Sequence, residues 1–343
     1  MNDCLRRTLP NMDTGFGAQQ LYSACKIEAT HHYPADGTEC TPVKGTGFLV
    51  QFPTGDGRLG LVTNRHIADD TFFDERNVGS ELKSIKVQWW QTKELRCEHT
   101  TDDPKPLYHS DPLVDVAIIP LHTEPKKPLR ATGEYFGDLH QYMAENTKAM
   151  ELKYAISWKM LLEAEKLWPQ VQPGDFVVFP GYPEQWHDKL QMRPVMRSGL
   201  IASDPQTDYR LGEDAPTKYD GGPQVPFDAF STAGNSGSPV FVAQRGVPPI
   251  TVVMPDGDGK AAIQGQISWP NYHRPFLVGI NATHYNETGF RQRNEHAGLS
   301  RFHKLSAIMD ILRANQDLSR GGSPLSMNLA IPVPDDFKIA PPS

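Results

Sequence analysis

Short apolar runs separated by polar, glycine- and proline-containing turns mark both ends of this 343-residue chain, and they predict strands. Gly45 to Phe52 and Gly60 to Asn64 are two such runs, joined by Pro53-Thr54-Gly55-Asp56-Gly57, a cluster of the kind that links hairpin strands. Ile85 to Trp90 alternates with period two until its end, which fits a half-buried strand. Val114 to Leu121 is almost continuously apolar and predicts a buried strand. Residues 21–122 therefore read as a first β unit. Residues 1–20, with Pro10, Gly15 and Gly17 and no period, read as an irregular N-terminal segment.

The pattern changes across 123–172. Tyr142 to Gln170 is dominated by Ala, Glu, Lys, Leu and Met, all good helix formers. Leu152, Ala155 and Ile156 fall at helical spacing, as do Tyr154, Trp158, Leu161 and Leu162, and Pro169 ends the helix. This is a helical insertion between two β units, most simply a spacer packed on their seam. The second β unit spans 173–316, with strands at Asp175 to Phe179, Arg197 to Ser203, Val240 to Val242 and Phe276 to Ala282. Lys304 to Ala314 has the apolar spacing of a closing helix, and 317–343, rich in Pro, Gly, Ser and Asp, reads as a flexible tail. The class is all-β.

Charge and composition narrow the function by exclusion. A net charge of −7 with well-mixed signs lacks the clustered Lys/Arg of a nucleic-acid binder. The start carries no apolar stretch of signal-peptide type, and no run reaches the ~20 apolar residues of a membrane span. Cys4, Cys25, Cys40 and Cys97 are scattered without metal spacing, so a reducing, cytoplasmic setting is expected. Asp256-Gly257-Asp258-Gly259-Lys260 lacks the glutamate that closes a calcium loop and reads as a hairpin tip. His31-His32 with Cys25 and Cys40 match no standard zinc spacing. No metal and no cofactor are expected.

Candidate chemistry concentrates in three places. Gly234-Asn235-Ser236-Gly237-Ser238-Pro239 places a serine between glycines just before the apolar run Val240-Phe241-Val242. A hydroxyl is a weak nucleophile and needs a base, which needs an orienting carboxylate. Leu61-Val62-Thr63-Asn64-Arg65-His66 ends a strand on the histidine, and Asp115 directly precedes the buried run Val116 to Ile119. Asp111, before a proline, is more simply a turn residue. His66, Asp115 and Ser236 stand in one of the three known chain orders of such a triad.

At these residues the chain resembles the chymotrypsin-like serine peptidases, especially the bacterial trypsin-like branch that includes glutamyl endopeptidases and high-temperature-requirement proteases. The matching motifs are Gly45-Thr46-Gly47-Phe48-Leu49-Val50, Thr63 to His66, Asp115-Val116-Ala117, Gly234 to Pro239 and Gly279-Ile280-Asn281. The resemblance spans roughly Tyr22 to Leu312, with the insertion unmatched and no room for a PDZ domain after it. It implies two packed antiparallel six-stranded β-barrels with the active site between them. Ser236 would attack a peptide carbonyl, His66 would relay the proton, and Asp115 would hold the imidazole. The amides of Gly234 and Ser236 would form the oxyanion hole. Phe230, Ser231, Thr232 and Ala233, with Asn281, Ala282, Thr283 and His284, would line the primary pocket. Phe230 stands where a trypsin-type pocket needs aspartate, and Asn281 where glutamyl endopeptidases place histidine, so a neutral, small or apolar residue is the expected preference. Asn235 stands where many digestive relatives carry the aspartate that pairs with a newly cut N-terminus, so activation by that route is not expected. The implied partner is a polypeptide substrate, with no nucleic acid and no membrane. The rival readings are a catalytically silent or partner-activated module that uses the insertion as its docking element, and an esterase with the same triad.

Overall fold

A computed structural model describes residues 16–54, 57–90, 96–123, 130–132, 154–218, 220, 222–247, 249–255, 262–267, 272–288, 294–318 and 323–324. Helix α1 (Phe16–Ser23) leads into β1 (Ala24–His32), β2 (Val43–Gln51), β3 (Leu59–Thr63) and the single-turn helix α2 (Arg65–Ala68). Then come β4 (Glu81–Trp90), β5 (Arg96–Asp102), β6 (Leu107–Tyr108), β7 (Ala117–Pro120), β8 (His122–Thr123) and β9 (Arg130–Thr132). Helix α3 (Trp158–Leu167) precedes β10 (Phe176–Gly181), β11 (Val195–Ile201), β12 (Gln224–Asp228) and β13 (Pro239–Val242). The rest comprises β14 (Ile250–Pro255), β15 (Ala262–Ile267), β16 (Phe276–Thr288), β17 (Asn294–Lys304), helix α4 (Leu305–Ala314) and β18 (Ser323–Pro324).

Strands β10-β11-β12-β17-β16-β13 close into an antiparallel barrel of six, as expected for the second β unit. The first unit differs from its expectation. Its strands form an eight-stranded antiparallel sheet in the order β6-β7-β3-β2-β1-β4-β5-β9, which is not closed. The edge of β5 that would return to β7 is taken by β9 through Arg96↔Thr132, Cys97↔Ala131 and Glu98↔Arg130, while β7 takes β6.

The continuous apolar runs are explained by burial on both faces. From β2 and β3, Leu49, Leu59 and Leu61 pack inside the first sheet with Ile27, Ile85, Val87 and Ile119. Phe48, Val50 and Val62 face the other way and share one core with Phe179, Phe227, Phe302 and helix α4. One apolar layer thus joins sheet and barrel, and each such fully buried side chain contributes roughly 1.5–3 kcal/mol. In β4 burial alternates through Val87 and Trp89, as its period predicts. Trp90 breaks the alternation because it packs on Tyr22, with ring centroids 5.8 Å apart, and under the Arg193 guanidinium at 4.6 Å.

Three other expectations are corrected. Residues 16–20 belong to α1 rather than to an irregular segment. This short helix lacks a clear period and is held by packing of Ala18, Leu21 and Tyr22 against Trp90 and Tyr154. The inserted helix starts at Trp158, capped by Ser157, whose Oγ accepts from Met160 N at 3.2 Å. Ile156 is extended despite its helical spacing. Strand β1 runs out opposite Phe48, so the edge of β2 beyond it pairs with Ile156 instead, through Ile156 N–Leu49 O at 2.9 Å and Gln51 N–Ile156 O at 3.0 Å. The earlier part of that stretch, 142–153, lies outside the described residues. Within the supposed tail, Ser323–Pro324 pairs with β8, and 325–343 lie outside the described residues. So does 256–261, which joins the paired strands β14 and β15. Among the described residues no helix is long and apolar enough to cross a membrane, and Cys25, Cys40 and Cys97 form no disulfide.

Candidate functional site

Strand β3 delivers the histidine. After Thr63 the chain leaves the sheet at Asn64, in extended geometry, and turns once through α2. Ile67 and Ala68 are buried in the first sheet, which leaves the His66 side chain 20% exposed. Arg65 goes elsewhere, over the rings of Phe72 and Tyr108 and onto Asp69 at 3.1 Å. Asp115, two residues before β7, meets His66 twice. Its Oδ1 accepts the His66 backbone N–H at 2.9 Å, and its Oδ2 accepts from Nδ1 at 2.7 Å. Its side chain is 2% exposed, and Asn64 Nδ2 donates to its carbonyl at 2.8 Å. With Nδ1 donating, Nε2 is the nitrogen left to act as a base. Asp111 is elsewhere, accepting from Leu113 N at 2.9 Å within its own turn.

The serine sits on a turn between β12 and β13. Gly234 at φ +91° and Gly237 at φ +86° both lie in the left-handed region, where glycine carries no steric penalty. Asn235 N donates to Thr232 O, and Ser238 N to Asn235 O at 3.0 Å, so Ser236 stands at the tip of a tight turn. Gly237 N donates to Asn281 O, and Thr46 N from the first sheet donates to Ser236 O at 2.9 Å. Thr46 Oγ1 bridges further, donating to Gly234 O at 2.6 Å and accepting from Tyr182 N at 2.9 Å. Glu184 N holds Ala233 O at 2.9 Å. Among the described residues neither the Gly234 nor the Ser236 amide donates to another protein group.

The Ser236 hydroxyl donates to Ala282 O at 3.2 Å and is not hydrogen-bonded to His66 in this conformation. No protein-family model and no curated protein matches this chain. The site therefore stands on its own geometry.

Of the expected pocket residues, Phe230 is exposed, Ala233 is exposed, and Thr232 and Thr283 are half-buried. Ser231, Asn281 and Ala282 are buried. Asn281 Nδ2 donates to Ser231 Oγ and to Asn235 O, both at 2.9 Å, so its amide is engaged in holding the serine turn. Thr283 Oγ1 accepts from Arg301 Nε at 2.6 Å. The side chain of His284 lies outside what the structure describes.

Thr46, Asn64 and His303 are the residues that sequence reasoning left without a role. Their signal was weak but present: each is a polar residue inside or at the end of a strand whose neighbours are buried.

Two substitutions probe the turn. A Cβ on Gly237 would lie 1.9 Å from Thr46 O and 2.7 Å from Thr63 Oγ1. Gly237→Ala is expected to destabilise by about 2–5 kcal/mol, the sum of overpacking and left-handed backbone strain, read as a lowered Tm. Thr46→Val leaves Gly234 O and Tyr182 N without their partner at a buried site. Each orphaned group costs about 1–3 kcal/mol, so Tm should fall.

Proposed function

We propose that the chain is a serine endopeptidase of chymotrypsin-like type, with the active site where the first sheet meets the barrel. The observation that carries this reading is the two-pronged His66–Asp115 pair, which fixes the imidazole tautomer beside a left-handed turn that presents Ser236. On this reading Ser236 Oγ turns from Ala282 O towards His66 Nε2 as substrate arrives; such bonds are commonly long or misaligned before that. His66 takes the proton as Oγ attacks the carbonyl carbon, and Asp115 stabilises the imidazolium. The tetrahedral oxyanion is received by the amides of Gly234 and Ser236, each donor worth about two to three decades in rate. His66 then returns the proton to the leaving amine. Water repeats the sequence on the acyl-enzyme and releases the acid.

The open amides and the Thr46 bridge support the reading. So does the one apolar layer that joins sheet and barrel, the arrangement a cleft between two β units requires. The engaged amide of Asn281 and the exposed Phe230 fit a preference for neutral side chains at the cleaved position. The test is hydrolysis of unfolded casein and of a mixed peptide library by the wild-type protein. Cleavage after neutral residues is expected, and cleavage confined to Lys/Arg or Asp/Glu sites would overturn the specificity reading.

A second reading is favoured by the Ser236–Ala282 bond: a latent peptidase whose serine is parked until a partner binds. It predicts silence of the purified protein and activity on adding lysate.

A further inference from the structure

The backbone of Asp115 is gripped from two sides. Asn64, from its own sheet, takes the carbonyl. The N–H is taken by a residue of the other β unit: Asp115 N donates to His303 Nε2 at 3.2 Å, across 188 residues of sequence. We propose that His303 is a positioning residue, which sets the depth and angle of Asp115, and through it of His66, relative to the barrel that carries Ser236. The inference rests on the peptidase reading above.

His303 is suited to this by its place and its chemistry. It lies in β17, paired with Gln224 on one side and Ile280 on the other, so its backbone belongs to the barrel wall. The wall is tight there: a Cβ on Gly279 would come 2.0 Å from His303 O. The side chain is 1% exposed. Burial pushes the imidazole down to about 4, against the pull of Asp115 and with a smaller push from Arg301, His109 and His66. It is therefore neutral at neutral pH. A neutral imidazole has one acceptor nitrogen, and Nε2 is spent on the Asp115 amide, which places the hydrogen on Nδ1. A lysine or arginine here would offer no acceptor, and a leucine would leave the Asp115 amide buried and unpaired.

Ser236 is tied to the same frame from the opposite direction, since Gly237 N donates to Asn281 O and Asn281 lies opposite Phe302, next to His303. One pair of barrel strands thus holds the serine turn through Asn281 and the aspartate through His303. The His66–Asp115 pair and the serine keep a common reference although they come from different β units.

The experiment compares full-length His303→Leu and His303→Gln with wild type. Glutamine Oε1 replaces the Nε2 acceptor at nearly the same reach, and leucine does not. Three quantities are read: Tm, the rate of fluorophosphonate labelling at Ser236, and the low-field NMR resonance of the His66 Nδ1 proton. Leucine is expected to slow labelling about 100-fold, the scale of a 1 Å misplacement, and to abolish the low-field resonance. Glutamine is expected to restore both to within about tenfold of wild type. A cooperatively melting His303→Leu protein with the resonance intact and the wild-type labelling rate overturns the proposal, as does a glutamine variant as impaired as leucine. If His303→Leu does not fold, His303→Gln decides alone, retention of the resonance supporting the proposal and its loss at unchanged Tm overturning it. Failure of the peptidase reading shows separately, as wild-type protein that never labels, while the resonance still reports on the His66–Asp115 bond.

Discussion

Replacing Ser236 by alanine is expected to lower peptide hydrolysis by about four to six decades while leaving Tm within about 1 kcal/mol of wild type in stability terms. On the proposed mechanism the Ser236 hydroxyl forms the acyl bond. Its loss would leave the proposed oxyanion amides in place, and a residual rate above that of water is then expected. Little stability should go with it. The Ser236 side chain is half-buried, and its single hydrogen bond is to Ala282 O, whereas the turn is held by backbone bonds from Ser236 O, Gly237 N and Ser238 N. Active-site titration beside thermal unfolding separates the two effects. Full activity in Ser236→Ala would remove the serine from the mechanism.

Asp115→Asn is the second large effect, with an expected loss of about four decades in kcat. Both carboxylate oxygens accept from His66, one from the backbone N–H and one from Nδ1. An amide can accept with one atom only. If its oxygen keeps the backbone N–H, its NH2 faces Nδ1 and forces the imidazole into the tautomer with the hydrogen on Nε2, where no base remains for Ser236. If it flips, two donors meet at the backbone N–H. Asp111→Asn, whose carboxylate serves its own turn through Leu113 N, is expected to change kcat less than about threefold, within the small effects of surface substitutions. Rates of p-nitrophenyl ester and peptide hydrolysis in both variants check this pair; the reverse ranking would reassign the carboxylate.

The residues brought together at the site were legible because each interrupts a pattern. His66 follows the apolar strand β3 by three residues, Asp115 precedes β7 by two, and Ser236 sits in a turn with Gly234 and Gly237 at positive φ. Strands β10, β11, β13 and the start of β16, with the closing helix, were legible from runs and spacings local in sequence, whereas closure into a six-stranded barrel was expected from the resemblance alone. What was not legible depends on distant pairing. Ile156 carries helical spacing but is drawn out beside β2 because β1 has ended there. The first sheet stays open because β5 pairs with the short strand β9, which lies beyond the last apolar run read into that unit. Thr46 and His303 each act on groups 188 residues away, through hydrogen bonds that no periodicity encodes.

The most direct measurement is fluorophosphonate labelling of purified wild-type protein beside Ser236→Ala, with the modified residue located by peptide mass. Activation of Ser236 by the His66–Asp115 pair predicts a single adduct on Ser236 in the wild type and none in the variant. Equal labelling of both, or an adduct on any other serine, would contradict it.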